Sequence, residues 1–156
     1  MATWEQFAQA EPEFAAAVLA RFTATKHHVL ATVRRDGSPR VSGTEVRVVG
    51  PNLTIGSMLN AMKAVDLRRD SRFALHANPG DGSMAGGDAK LAGTATEIAD
   101  PRLKTAVVDN MEGDPGPFHL FHLDITEAVL TSLAPTNDYL LIQTWRPGEA
   151  IREQRR

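Results

Sequence analysis

The sequence predicts a mainly β (α+β) fold, a small barrel of six to seven short antiparallel strands with two to three peripheral helices. Two observations support this: runs rich in Val, Ile, Leu and Thr recur along the chain, and Gly, Pro, Asn and Asp turns separate them. A third is that a few segments space their apolar residues as a helix does. The 156 residues form one domain, with an N-terminal helix at about residues 3–22, a barrel at about 27–145 and a tail at 146–156.

The composition limits the function. Lys and Arg total 17 against 19 Asp and Glu, so the net charge is −2 and nothing indicates nucleic-acid binding. There is no cysteine, which excludes disulfides, thiolate metal sites and a cysteine nucleophile. No apolar run reaches the roughly 20 residues of a membrane span, and the first residues lack the apolar stretch of a signal peptide. We therefore expect a cytoplasmic protein that does not associate with membranes.

The first predicted element is the N-terminal helix. Thr3 and Gln6 form a capping-box pattern, and the helix continues to about Phe22. Its apolar residues recur at helical spacing, which predicts that this face packs across the outside of the sheet. These residues are Phe7, Phe14, Val18 and Phe22.

The next segments predict three strands joined by tight turns. The first strand, residues 28–34, is followed by an Asp-Gly hairpin turn at residues 35–39. The second strand covers residues 40–49. After a Gly-Pro-Asn turn, the third covers residues 53–56.

The third strand is expected to break at Gly56-Ser57 and to lead into a helix from about Asn60. Ser57 and Asn60 are both candidate N-caps, and Lys63 lies in the first helical turn. A strand that leads into a helix in this way directs backbone N–H groups at an anion, and Lys63 would add a positive charge. The segment is therefore either a phosphate cradle or a capped helix with a solvated lysine.

The second half predicts further strands and one helix. A strand at residues 72–77 leads to a Gly-rich loop at 78–87, and another strand follows at 88–98. Pro101 begins a helix that runs to about Met111, with the proline at the first helical position. Residues 119–133 form one strand or a bent pair, and residues 139–145 form the last strand.

The five histidines do not predict a metal site. His119 and His122 lie on opposite faces of a strand, so we do not expect them to share an ion. His27, His28 and His76 are expected to be polar residues at strand ends. We find no Ser/His/Asp array or carboxylate pair, and so no catalytic side chain is assigned.

The order of these motifs resembles the FMN-binding split barrels of the pyridoxamine 5′-phosphate oxidase-like family. The resemblance covers residues 27–145. It consists of a strand, an Arg-Arg-Asp-Gly-Ser-Pro-Arg turn at residues 34–40, two further strands, and then the run from Lys63 through Leu67-Arg68-Arg69-Asp70 to Arg72. It implies a split β-barrel, an FMN cofactor, and a homodimer with the cofactor site at the subunit interface.

The resemblance also implies site residues. The flavin ring would lie along the second strand, the ribityl chain along the third, and the phosphate at Lys63. Where the oxidase has Ser-Arg-Lys, this chain has Ala61-Met62-Lys63, so Ser57, Asn60 and Arg40 are candidates to compensate. A strand-end tryptophan would approach the ring from the partner subunit, near Asp88 or Lys90. The expected cofactor-binding residues are Arg40, Ser42, Gly43, Thr44, Glu45, Gly56, Ser57, Met62, Lys63, Asp88 and Trp145.

The C-terminal tail departs from the oxidase pattern. The oxidase has Arg-x-His after this tryptophan, whereas residues 151–156 contain no histidine and leave Arg152 as the substrate-binding candidate. We therefore do not expect oxidation of pyridoxamine phosphate.

The expected function is an FMN-dependent oxidoreductase that moves two electrons to or from a small conjugated or heteroaromatic substrate. One alternative is a reductase that uses the deazaflavin F420, whose longer anionic tail could meet Arg34, Arg40 and Arg47. The other alternative is a flavin- or haem-binding protein without catalysis.

Overall fold

The computed structural model describes residues 1–109 and 113–156 and confirms a mainly β (α+β) fold. In these residues there are four helices and nine strands. The helices are α1 (Trp4–Ala10), α2 (Pro12–Thr23), α3 (Met62–Arg69) and α4 (Pro101–Val108). The strands are β1 (His28–Val33), β2 (Pro39–Thr44), β3 (Val46–Val49), β4 (Asn52–Met58), β5 (Arg72–His76), β6 (Asp88–Glu97), β7 (Phe118–Leu133), β8 (Leu140–Trp145) and β9 (Arg152–Arg155).

All strands join one antiparallel sheet that curves without closing. The order is β2-β1-β5-β6-β7-β4-β3, and β8 and β9 extend from β7. The 16-residue strand β7 organises this sheet, because it pairs with β6 on one side and with both β4 and β8 on the other. Of the two predicted alternatives, one strand or a bent pair, the structure shows one continuous strand.

The core lies between the inner face of the sheet and helices α1 and α2. Strand residues such as Leu30, Leu91 and Phe121 are at most 1% exposed. Phe7 of α1 and Val18 of α2 are fully buried against them. Each such side chain contributes about 1.5–3 kcal/mol of burial free energy, which fixes the helices on the sheet.

The predicted single helix at residues 3–22 is wrong. The capping box at Thr3 is present, but the helix ends at Ala10 and a second helix begins at Pro12. The ring of Pro12 has no N–H to donate and is tolerated only in a first turn, so it forces the break at Glu11. The four apolar residues of the predicted helical stripe are all buried, and they pack on the inner face of the sheet.

The second and third strands also differ from the prediction. Residues 40–49 are interrupted at Glu45, which separates β2 from β3. Strand β4 continues through Ser57 to Met58 because both residues pair with β7. Neither Ser57 nor Asn60 caps α3, since Asn60 has a φ of 60° and the N-cap is Ala61, without a side-chain hydrogen bond.

The remaining differences lie near the C-terminus. The tail contains β9, a strand that the sequence analysis did not predict, and this raises the strand number to nine. Helix α4 is described to Val108, and the predicted helix end at Met111 lies outside the described residues. None of the helices in residues 1–109 and 113–156 is long and apolar enough to cross a membrane.

Candidate functional site

A cavity of about 290 Å³ lies where the sheet is open, between the end of β2 and the end of β4. The residues that follow from β2 into β3 form one wall, and β4 with the start of β7 forms the other. Helix α3 begins directly after β4, so its first turn reaches across the opening. The gap in the sheet therefore positions a pocket that has polar and apolar sides.

Lys63 closes one end of this pocket. Its Nζ donates a hydrogen bond to the Gly43 carbonyl at 2.7 Å, which links α3 to β2. Burial lowers the pKa of Lys63, and the nearby negative charge of Glu45 partly opposes that shift. A partly desolvated ammonium beside a pocket is a strong partner for an anion, because few waters compete for it.

Gly43 leaves open space in front of β2. The β1–β2 register runs without interruption through Gly43, which excludes a bulge at this residue. A Cβ built there would meet no atom within 4 Å. Nothing in the described residues therefore requires glycine for packing, and the bare backbone is accessible to a flat ligand.

The charged side of the pocket is centred on Glu45. Its carboxylate accepts a hydrogen bond from Arg47 Nη2 at 3.3 Å and lies 3.6 Å from His27 Nε2. Lys26 Nζ is 3.7 Å away, and the Lys26 side chain is 66% exposed. The pocket thus contains both signs of charge, with the cations in the majority.

The opposite side of the pocket is apolar. Phe118 and Leu120 lie opposite Met58 and Gly56 in the β4–β7 register, so all four share one face. Val107 of α4 lies against them. The Lys104 ammonium donates to the Phe118 carbonyl at 3.1 Å and lies 5.7 Å from the ring centre, which fixes the phenyl group. This wall can pack against an aromatic ring.

Six of the predicted cofactor residues line this pocket. They are Gly43, Thr44, Glu45, Gly56, Ser57 and Lys63. Strand alternation places the Ser57 side chain on the face of Leu53 and Ile55, and its hydroxyl hydrogen-bonds the Met58 carbonyl at 3.4 Å. The Ser57 side chain therefore turns inward and is buried.

The structure does not bring Arg40 to this pocket. Its Nε donates to the buried Asp66 carboxylate at 2.6 Å, inside the curve of the sheet. Burial would raise the pKa of Asp66, but hydrogen bonds from Arg40 and Thr32 and the arginine charge hold it below its usual value. Arg40 is therefore part of the fold and does not compensate for the cations missing beside Lys63.

The structure places Trp145 away from the pocket. Trp145 is 2% exposed, and its ring lies 4.3 Å from that of Phe7 in the core. Because α1 covers it, this side chain is not exposed at the surface of the chain. The sequence could not show this, since Phe7 of α1, which packs against Trp145, lies near the other end of the chain.

Four other predicted site residues lie away from the pocket lining. Ser42 pairs with Leu30 in the middle of β2, and Asp88 pairs with Thr131 at the start of β6. Met62 is 53% exposed at the start of α3. Arg152 is exposed in β9 and pairs with Glu149 at 2.8 Å.

Sequence reasoning missed His27 and the apolar wall. Residues two apart on β7 share a face, and Phe118 and Leu120 therefore lie together at the start of its outer face, before the polar His122 and Asp124. This apolar pair was the sequence signal for the wall. His27 directly precedes β1, and its proximity to Glu45 depends on the β1–β2 pairing.

The other histidines are held by local contacts. His119 Nδ1 lies 2.6 Å from Glu97, while His122 Nε2 lies 3.3 Å from Asp124 on the opposite face of β7, as the strand pattern predicted. Within residues 1–109 and 113–156, no group of three His, Asp or Glu residues can hold a metal ion.

Several solved structures share this architecture. A pyridoxamine 5′-phosphate oxidase-related, FMN-binding protein from Nostoc punctiforme matches with a TM-score of 0.63 and 14% identity, over 90% of this chain and 94% of its own. PhzG from Burkholderia lata, in complex with tetrahydrophenazine-1-carboxylic acid, matches with a TM-score of 0.63 and 13% identity, over 97% of this chain and 92% of its own. The fold is that of the pyridoxamine 5′-phosphate oxidase-like split barrels.

Split barrels include proteins with other ligands. A heme binding protein from Mycobacterium smegmatis matches with a TM-score of 0.56 and 19% identity, over 90% of this chain and 57% of its own. No family model matches the sequence, and no curated protein matches it. At these identities the likeness establishes the split-barrel fold, so the function must be inferred from the residues of this chain.

Proposed function

We propose that the pocket at the barrel opening binds FMN and that the protein is a flavin-dependent oxidoreductase. The observation that carries this proposal is the joint position of Gly43, Lys63 and the Phe118–Leu120 wall around one cavity. Open backbone suits a planar ring, an apolar wall suits its face, and a partly buried ammonium suits a phosphate. The solved split barrel from Nostoc punctiforme, described as FMN-binding, supports the same ligand.

The cofactor, when bound, supplies two-electron transfer, and the residues of this chain bind and orient it. Lys63 would hold the phosphate in place of its present contact with the Gly43 carbonyl. The apolar wall keeps water from one side of the pocket, which strengthens the charge interactions inside it. A small conjugated or heteroaromatic substrate would then stack where the pocket remains open.

We also propose a homodimer that completes the pocket. The cavity of about 290 Å³ is at the small end for a cofactor site and is open on one side. Gly43 pairs with Val29, which begins an apolar outer face of the sheet. On this face Val29 is 38% exposed and Val41 69% exposed, and a second copy packed there would lie against the opening.

The deazaflavin F420 is the second candidate ligand. Arg47 lines the pocket and would suit the anionic tail of this cofactor. Of the other two arginines expected to help, Arg40 is held by Asp66, and Arg34 lies at the β1–β2 turn. The position of Arg47 alone favours this ligand, and so FMN remains the primary proposal.

An absorbance spectrum of the purified protein and a fluorescence titration with FMN test the flavin proposal. We expect Lys63→Ala to weaken FMN binding about 10- to 100-fold, because one charge-assisted hydrogen bond contributes about 1.5–3 kcal/mol. Arg35→Ala, which removes an exposed cation from the β1–β2 turn, is the control and should bind normally.

The outcomes separate the alternatives. Tight F420 binding with weak FMN binding would favour the deazaflavin, and a Soret band would favour haem. Equal FMN affinities of the Lys63 and Arg35 variants would rule out this pocket as the phosphate site.

A further inference from the structure

The Glu45 carboxylate lies in the pocket to which the proposed function assigns the phosphate of a ligand. Its oxygens lie 3.3 Å from Arg47 Nη2, 3.6 Å from His27 Nε2 and 3.7 Å from Lys26 Nζ. Its charge also acts on the Lys63 ammonium in the same pocket. Four basic groups therefore surround one carboxylate at the entrance of the cavity.

These contacts are weak enough to be exchanged. The Glu45 side chain is 34% exposed, and the side chains of Lys26 and His27 are 66% and 73% exposed. Ion pairs with this exposure contribute about 0–1 kcal/mol each, because water screens them. Asp66 differs: it is 1% exposed and accepts the Arg40 hydrogen bond at 2.6 Å, so this pair belongs to the fold.

The backbone at Glu45 also permits movement. The β1–β2 pairing ends at Thr44, and the β3–β4 pairing begins at Val46. Glu45 lies between these two registers and is not part of either ladder. Its side chain can therefore turn toward solvent without the loss of a strand pair.

We propose that Glu45 is an internal counter-ion that the phosphate group of a ligand displaces. In the free protein, its carboxylate neutralises the basic groups and keeps them close together. When a phosphate enters, its oxygens take over the contacts with Arg47 and His27 and also bind Lys63, and the carboxylate turns outward. The inference rests on the proposed function only in placing a phosphate in this pocket.

This arrangement has a consequence for selectivity. A neutral ligand does not compete with the carboxylate for the basic groups, so Glu45 leaves the affinity for such ligands unchanged. A phosphate group, with up to two charges and three terminal oxygens, can replace it. Glu45 thus lowers the affinity for phosphorylated ligands and leaves the affinity for their dephosphorylated forms unchanged.

The test compares FMN with riboflavin, which has the same ring without the phosphate. We expect Glu45→Gln to bind FMN about tenfold more tightly than the wild type, because the ligand no longer competes with the carboxylate. Riboflavin affinity should stay the same. Glu127→Gln removes the same charge from a residue outside the pocket and is the control for the change in net charge.

Either of two results would overturn the inference. If Glu45→Gln weakens FMN binding, the carboxylate accepts a hydrogen bond from the ligand and is a direct ligand-binding group. If Glu127→Gln strengthens FMN binding equally, the effect comes from net charge and not from displacement.

A thermal-shift titration with inorganic pyrophosphate separates this inference from the proposed function. A larger pyrophosphate-induced rise in Tm for Glu45→Gln than for the wild type supports a counter-ion even if no flavin binds. If FMN binds and Lys63→Ala removes that binding, but pyrophosphate stabilises both proteins equally, the flavin proposal stands and the counter-ion role is wrong.

Discussion

At the scale of single residues, the buried carboxylate of Asp66 fixes α3 against the sheet. It accepts hydrogen bonds from Thr32 at 3.0 Å and Arg40 at 2.6 Å, and Arg69 lies 3.3 Å away. Arg69 also donates to the Val33 carbonyl, so the cluster links the end of α3 to β1 and β2. Lys63 lies one turn earlier on the same helix, and its position therefore depends on this cluster.

We expect Asp66→Asn to lower the free energy of unfolding by about 3 kcal/mol. This is the low end of the range for breaking a buried ion pair, because Arg40 and Arg69 can partly regain water. Urea unfolding followed by circular dichroism measures the loss. Asp70→Asn is the control, since Arg72 in the Asp70–Arg72 pair is 71% exposed and this pair should contribute far less. Equal losses in the two variants would contradict the structural role of Asp66.

His28 makes the stability depend on pH. Its ring is 3% exposed, lies 5.1 Å from that of Phe22, and accepts a hydrogen bond from the Asn78 N–H at Nδ1. Burial lowers the pKa of His28 from 6.5, and the nearby Phe22 and Thr25 carbonyls only partly oppose this. The folded protein therefore holds His28 neutral under conditions in which the unfolded chain already binds a proton.

The direction of the effect follows from proton linkage. As the pH falls below 6.5, the unfolded chain gains a proton at His28 before the folded protein does, so stability decreases. The decrease stops below the folded pKa, and its slope is at most about 1.4 kcal/mol per pH unit. Urea unfolding between pH 7.5 and 5 should show a shallower slope for His28→Phe than for the wild type. An unchanged slope would mean that His28 does not couple to folding.

At the scale of secondary-structure elements, local patterns predicted what depends on local contacts. The alternation in β1 and β6 and the Asp-Gly turn before β2 gave these strands correctly. Pro12 was a local signal for the break between α1 and α2. The prediction missed this break because Phe7 and Phe14 are seven residues apart, a spacing that also fits one continuous helix. Strand β9 has no apolar residue and is fully exposed, so only its pairing with β8 makes it a strand.

The residues of the candidate site also divide into those that local sequence patterns can predict and those that depend on contacts distant in sequence. A resemblance in motif order predicted Gly43 and Lys63 as site residues. Local patterns could not predict them, because the two residues are 20 positions apart and meet only through the sheet. The break at Glu45 contains neither Gly nor Pro, and it arises because β2 and β3 pair with different neighbours. The exclusion of Arg40 and Trp145 depends on Asp66 and Phe7, which are distant in sequence.

At the scale of the whole molecule, the open sheet explains both the pocket and the proposed dimer. A closed barrel would have no exposed edge, whereas this open sheet leaves a gap beside β2 and an apolar outer face on the same strand. Val41 at 69% exposure and Val29 at 38% lie on this face. A second copy that covers the face would remove it from water and narrow the pocket opening.

We expect Val41→Glu to convert the dimer into a monomer, because two carboxylates would have to enter an apolar interface without partners. The side chain is too exposed to affect the monomer core, so Tm at low protein concentration should change little. Multi-angle light scattering during size-exclusion chromatography measures the mass. Val48→Glu is the control, since Val48 is 40% exposed but lies on β3 and not on this face.

The same variants test whether assembly and ligand binding depend on each other. If the partner closes the pocket, Val41→Glu should lose FMN affinity together with the dimer, and FMN should shift the wild-type equilibrium toward the dimer by mass action. A monomeric Val41→Glu protein that binds FMN as tightly as the wild type would show that one chain forms the whole site. A wild-type protein that is monomeric with FMN bound would exclude the dimer itself.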